Sequence, residues 1–377
     1  MTTIQPAASR AERLLSFNLG DFPVPQGTEE EWRFTPLERM EDFFADEVSG
    51  ELPAISASEP SLLEKVTHDD DRLGRIMPPE DRVAALAWNS SKDAYVLTLP
   101  KDTKLEREVV VTINGSGLKD VSALHLLIDA QPFSEATVVV NHVGSARLAE
   151  GIEIDVESGA HLTFVTIQDW DDDAVHTSSN RAHVARDGNL KHIVVSLGGD
   201  LVRTTTSVDF GGENGEVNLL GAYFVDAGQH IENRLLVDHN QPNCKSNATY
   251  KGALQGDDAH SVWIGDVLIQ PNAEGTDTYE LNRNLVLTEG ARADSVPNLE
   301  IETGEIEGAG HASATGRFDD EQLFYLRSRG IPEDQARRLV VRGFFAELIN
   351  QIGVESVQSK LMESIEKELD IVLELAE

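Results

Sequence analysis

From Tyr95 to about Glu307 the chain repeats one kind of phrase, and this repetition constrains the fold more than any other feature. Runs such as "AYVLTLP", "EVVVTI", "ATVVVNHV", "GIEIDVE", "HLTFVTI", "HIVVSLGG" and "TTTSVDF" are short and rich in β-branched residues. They alternate or run apolar between Gly, Asn and Asp, which is the pattern of strands joined by tight turns. Similar phrases open at Gly159 ("SGAHLTFV"), Gly188 ("DGNLKHIVV"), Gly215 ("NGEVNLLG") and Gly290 ("EGARADSV"). The steps from 159 to 188 and from 188 to 215 are 29 and 27 residues, and the step from 215 to 290 is 75, close to three shorter units. A period of that size built from strands alone means stacked units that bury one another, a β-solenoid or β-helix. Glycine is expected to supply left-handed backbone at the corners. An antiparallel sandwich is the competing fold, but its usual length is well under half of this block.

The flanks have a different texture. Residues 1–92 read as a small, mostly helical N-terminal region. Within it, Thr28 and Glu31 form a capping-box pattern, and Trp32, Phe34 and Leu37 of "EEWRFTPLE" are expected to dock on an apolar surface. Residues 93–315 read as the β-helix core. Residues 316–377 read as a C-terminal helical domain: Gly330 stops "EQLFYLRSR", Pro332 takes a first-turn position, and Ala336, Leu339, Val340, Phe344 and Leu348 recur at helical spacing. Helices on both sides of a repetitive β block are expected to cap its open ends.

Composition narrows the function classes. The 31 Lys and Arg stand against 66 Asp and Glu, a net charge of −35. So acidic a surface repels phosphate backbones and anionic bilayers, so neither nucleic acid nor membrane is an expected partner. The N-terminus has no charged start followed by an apolar run, and a single cysteine, Cys244, allows no internal disulfide. Together these give a cytoplasmic expectation.

The chain lacks GxxxxGK[ST] and HExxH, and "INGSGL" has Asn114 where a nucleophile elbow needs its first glycine. "DWDDDAVHTSSN" begins like a calcium loop, but Ala174 and Asn180 stand where the glycine and the closing glutamate belong, so it reads as a solvated acidic loop. Two places retain metal chemistry. Cys244 follows His239 by five residues, a spacing open to a soft metal, although a lone cysteine is more often an inert buried residue. His311 stands among small residues in "EGAGHASATG", where a cluster or a second chain has room to approach; the plain alternative is a hydrogen-bonded histidine at the last strand. Iron–sulfur clusters usually take four thiolates, sometimes with histidine. A chain with one thiol cannot complete such a site alone.

"EGAGHASATGRFDDEQLFYLRSRGI", with "EEWRFTPLE" and "CKSNATYKGAL", resembles the SufB/SufD family of iron–sulfur cluster assembly proteins over most of the chain. Tyr325-Leu326-Arg327-Ser328-Arg329-Gly330 is similar to the SufD branch, and "GARADSVPNLEIE" has no cysteine where a SufB-type acceptor is expected. Where the SufD pattern often carries cysteine two residues before the histidine, this chain has Ala309. The resemblance implies a right-handed parallel β-helix flanked by helical domains. It implies a non-catalytic scaffold that pairs with a SufB-type subunit through the β-helices, and it leaves a homodimer open as an alternative when the chain is alone. It also implies docking of a SufC-type ATPase on the C-terminal domain, around Leu323, Phe324, Tyr325, Arg329 and Phe344. His311 becomes the candidate ligand to a nascent iron–sulfur cluster at the subunit seam, with Cys244 a weaker candidate and no cofactor held tightly by this chain alone. The alternative from another class is a carbohydrate-active β-helix enzyme, for which no motif picks out a pair of acids.

Overall fold

A computed structural model describes residues 9–318 and 320–375. Its centre is a parallel β-solenoid in which successive strands alternate between two sheets. Two short strands, β1 (Ala54–Ala57) and β2 (Leu63–Thr67), precede it. The first sheet stacks β4 (Val109–Asn114), β6 (Glu135–Gly144), β8 (His161–Trp170), β10 (Asn189–Ser196), β12 (Glu216–Val225), β14 (Lys245–Leu254), β16 (Asp277–Val286) and β18 (Gly308–Arg317). The second stacks β3 (Asp93–Leu99), β5 (Gly117–Ala130), β7 (Ala146–Val156), β9 (Val175–Val184), β11 (Leu201–Phe210), β13 (His230–His239), β15 (His260–Ile269) and β17 (Arg292–Ile301). His161 pairs with Asn189, Asn189 with Glu216, Glu216 with Lys245, Lys245 with Asp277 and Asp277 with Gly308, steps of 28, 27, 29, 32 and 31 residues. The steps of 29 and 27 residues read from the sequence are therefore single turns of the coil; Gly290 precedes β17 in the second sheet, so the step of 75 is not three turns.

The corners refine the glycine expectation. Gly159 and Gly290 do take left-handed backbone, with φ of +66° and +87°. At the next two corners the left-handed residue is the one before the glycine, Asp187 (φ +56°) and Asn214 (φ +64°). Gly188 and Gly215 serve close packing instead: a Cβ on Gly188 would lie 2.9 Å from the Ala185 carbonyl oxygen, and one on Gly215 would lie 2.6 Å from the Phe210 ring.

Inward-facing side chains fill the coil with one continuous apolar core that includes Val138, Phe164, Leu190, Leu219, Tyr250 and Trp263. The outer faces are covered too. Helices α3 (Glu333–Ile352) and α4 (Glu355–Leu375) set Val341, Phe345, Leu348, Val357 and Leu361 against outward residues of the first sheet such as Val165, Ile193, Val195, Leu220 and Phe224. Lys191 Nζ donates to the Ile352 carbonyl at 3.1 Å and so satisfies the end of α3. On the second sheet, Trp32, Met40, Phe43 and Val83 pack against Val121, Ala149, Val175 and Leu201.

Two expectations for the flanks change. The N-terminal region is largely 3-10 turns and irregular chain, with one nine-residue helix, α1 (Arg82–Ser90). In place of the Thr28–Glu31 capping box, the Glu29 carboxylate accepts the backbone N–H groups of Gln26 and Thr28. The C-terminal helices lie along the side of the coil rather than over its end, because the apolar outer face of the first sheet is what needs covering. The coil is therefore asymmetric. At its start β1 runs antiparallel to β4 and β2 antiparallel to β3, so each sheet begins on a short strand of reversed direction. At its finish the edge strands are the ten-residue β17 and β18; among the described residues each is paired on one side only, as β1 and β2 are at the start.

Candidate functional site

The open end brings the sequence-derived histidine to the surface. His311 lies on β18 opposite Glu280 of β16, and it is exposed. In a parallel ladder paired residues face the same way, so His311 belongs to the column that runs inward one turn below. Interior residues of the last turn, among them Ala293, Leu299 and Ala309, are only partly buried, because no further turn among the described residues lies over them. Tyr279 and Ile301, each 46% exposed, add apolar surface to the same end. The alternate residues of β18 are Gly308, Gly310, Ala312, Ala314 and Gly316. A flat edge of small residues with unpaired backbone groups invites another strand.

Beneath His311, Glu280 is 2% exposed, and neither carboxylate oxygen has a hydrogen-bond partner among the described residues. Burial, with a smaller push from the Asp266 charge, raises its pKa to about 8. Gly265 makes the space: a Cβ there would meet Trp263 at 2.4 Å and Glu280 Oε1 at 2.8 Å. A carboxyl whose folded pKa exceeds its unfolded one stabilises the fold below its unfolded pKa, and that contribution is lost as pH rises through the folded pKa. Between about pH 5 and 8 the Glu280 carboxyl is thus expected to cost up to about 1.4 kcal/mol of stability per pH unit. Glu280→Gln is expected to remove that slope from denaturant-measured stability; a variant as pH-sensitive as the parent would refute the assignment.

Cys244 does not join His311. Its thiol is buried, 3.4 Å from the Gly212 carbonyl and 3.5 Å from that of Pro242. By register it occupies the corner position filled by Gly188 and Gly215 in the preceding turns and Thr276 in the next. Burial raises its pKa, which disfavours the thiolate needed for metal or sulfur chemistry. It lies two strands and four residues from His311 in the ladder, roughly 16 Å away.

The other candidate residues divide by exposure. On α2 (Asp320–Ser328), Phe324 is 74% and Tyr325 57% exposed. Arg329 is exposed as well, and its guanidinium lies 5.2 Å from the Tyr325 ring centroid. Leu323 is buried, and Phe344 is half-buried against the helix–sheet core beside Lys251. Trp32 docks as expected: the Arg203 guanidinium sits 4.1 Å from its ring, and Thr35 donates to buried Glu232 at 2.7 Å. Sequence reasoning missed Glu280, because nothing local distinguishes a glutamate that turns inward from the many that face water.

Comparison with known proteins bears on the same regions. The family described as "SUF system FeS cluster assembly, SufBD core domain" matches residues 111–344, which span most of the coil and the start of the C-terminal helices. The chain is 52% identical over 374 residues to an iron–sulfur cluster assembly SufBD family protein of Mycobacterium bovis, covering 97% of this chain and 94% of that one. It is 25% identical to the iron–sulfur cluster assembly protein SufD of Escherichia coli, covering 92% and 89%, and 29% identical to SufD of Bacillus subtilis, covering 77% and 67%. No helix among the described residues is long and apolar enough to cross a membrane. A two-sheet coil of this period, matched over its length by the family's core, places the chain in the SufBD family of iron–sulfur cluster assembly proteins.

Proposed function

We propose that this chain is a SufD-like scaffold subunit that works in the cytoplasm. It pairs with a SufB-type subunit through the open end of the coil and contributes His311 to a nascent iron–sulfur cluster at the seam. The observation that carries the reading is the placement of an exposed imidazole on β18, the last strand of its sheet, which among the described residues is paired on one side only. Imidazole is a competent iron ligand, and the small residues of β18 let partner thiolates approach. The sole thiol is buried away from this end, so the remaining ligands come from the partner. Phe324, Tyr325 and Arg329 form the exposed apolar and cationic surface on which a SufC-type ATPase docks, while Leu323 and Phe344 hold the helices in place. ATP hydrolysis belongs to that partner; this chain is not itself an enzyme. The carbohydrate-active alternative has no support in a family of cluster assembly proteins.

The test is His311→Ala in a complex co-expressed with SufB-type and SufC-type chains and handled anaerobically. Assembly is expected to persist, because the side chain is exposed, while cluster content and transfer to an acceptor protein fall at least about tenfold. Unchanged cluster content in an intact complex would remove His311 from the site.

A further inference from the structure

Well away from the open end, the coil buries a second set of candidate ligands. His142 of β6, Glu150 of β7 and His176 of β9 are 0–1% exposed. Their ligating atoms all lie within 4.8 Å of one another. His142 Nε2 is 3.1 and 3.2 Å from the two Glu150 oxygens, and His176 Nε2 is 3.3 Å from Glu150 Oε2.

The surrounding hydrogen bonds allow a tautomer in which both Nε2 atoms are free to bind a metal. The Trp170 indole nitrogen can only donate, and it lies 2.8 Å from Gln168 Oε1 and 3.1 Å from His176 Nδ1. A bare His176 Nδ1 accepts part of that proton. When Nδ1 instead carries its own proton, it donates to the same Gln168 oxygen at 2.7 Å. His142 Nδ1 in turn donates to the Ile167 carbonyl at 3.2 Å. With Nδ1 protonated and Nε2 bare, both rings aim Nε2 lone pairs at one carboxylate; a proton on either Nε2 would instead donate to Glu150. Lone pairs facing a carboxylate repel unless a proton or a metal cation stands between them. Each ring held by its far N–H against an oxygen acceptor is the outer-shell arrangement that supports histidine ligands to metals. Ser178 Oγ, which donates to Glu150 Oε2 at 2.9 Å, steadies the third ligand.

We propose that His142, Glu150 and His176 bind one divalent first-row transition-metal ion of the Zn2+ or Fe2+ class, sealed inside the coil. Bonds of about 2.0–2.1 Å in a tetrahedron set ligand atoms roughly 3.4 Å apart, close to the separations from each ring to the carboxylate. Two imidazoles and one carboxylate suit both ions and leave at least one coordination position open. With no exposed ligand atom, the ion enters while the coil forms and then exchanges slowly. In sequence the three residues sit 8 and 26 positions apart, and only the turn from β6 into β7 and the stacking of β9 on β7 unite them.

The experiment uses the full chain, expressed in medium supplemented with Zn2+ or with Fe2+, then dialysed against EDTA. About one ion per chain is expected to remain, and to remain in His311→Ala, which separates this site from the proposed cluster site. Glu150→Gln and His176→Ala are each expected to lower retention to about 0.1 ion or less. If either variant fails to fold, wild-type chain stripped in denaturant and refolded with Co2+ or with chelator decides the matter. A Co2+ absorption band in the visible and a higher Tm with metal support the site. Refolded wild type that retains no ion and melts identically with chelator overturns it, as does an ion that survives both ligand substitutions.

Discussion

Gly252→Ala is expected to destabilise the protein by about 3 kcal/mol, a large effect for one methyl group. Gly252 and Tyr223 are paired residues on β14 and β12, and so are Tyr250 and Gly221. Each tyrosine ring lies over the glycine of the neighbouring turn. A Cβ on Gly252 would sit 1.8 Å from Tyr223 Cε2, and one on Gly221 would sit 2.0 Å from Tyr250 Cδ1. Neither ring has room to retreat, since Tyr223 is 1% and Tyr250 0% exposed. The Tyr223 hydroxyl is also pinned, donating to Asn284 at 2.6 Å and accepting from Asn282 at 2.9 Å. Equilibrium urea unfolding checks the value, and the double variant Tyr223→Ala/Gly252→Ala is expected to lose less than the sum of the two single losses, because removing the ring vacates the contested space. A single variant within about 0.5 kcal/mol of wild type would show that the rings do not interlock in this way.

Arg203→Met is expected to cost about 3–5 kcal/mol and to loosen the N-terminal segment from the coil. Arg203 is 3% exposed on the outer face of β11. It pairs with Asp81 at 2.8 Å and Glu232 at 3.3 Å, and donates to the Glu31 carbonyl at 3.2 Å. Burial opposes ionisation of Glu232, but hydrogen bonding to His230 and the charges of Arg203 and Arg234 outweigh it and hold the group well below the usual carboxylate range. Methionine keeps much of the volume but leaves two carboxylates with less compensation. Asp81 also caps α1 through the Ala84 N–H at 2.8 Å, so the damage reaches the helix that packs on β7. Arg203→Lys is expected to recover only part of the loss, because lysine lacks the planar fork that bonds and stacks at once. Denaturant unfolding gives the stability, and limited proteolysis between residues 28 and 50 reports the loosening. Wild-type stability in Arg203→Met would mean that the apolar contacts of Trp32 and Phe43 hold the segment without the ion cluster.

The coil was legible because its signal is local. Period-two runs and turn residues recurring every 27 to 29 positions state the strand, the corner and the turn length at once. The same locality misled at the corners. Asp187 and Asn214 carry the left-handed backbone that the sequence assigned to the glycines after them, because Asn and Asp tolerate that region too. Runs such as "HIVVSLGG" are apolar at successive positions, which shows burial on both faces but not what covers each one. Hence the C-terminal helices were expected over an end and lie along a side. His311 could be singled out from its small neighbours, whereas Glu280, His142, Glu150 and His176 could not. Their character comes from facing inward and from residues in other turns.

The amino-acid order alone determined the architecture, since a repeated strand-and-corner unit can bury its apolar side only by stacking on copies of itself. It also determined that this chain, with a single thiol, cannot complete a thiolate-rich cluster site. Tertiary structure alone decided that Cys244 is packed away in a corner, that β18 with His311 is a terminal strand paired on one side only among the described residues, and that two imidazoles and a carboxylate meet in the interior. The physical reason is common to all three: burial, edge exposure and ligand convergence depend on which turns become neighbours, and that is a property of the stack rather than of any one stretch of chain.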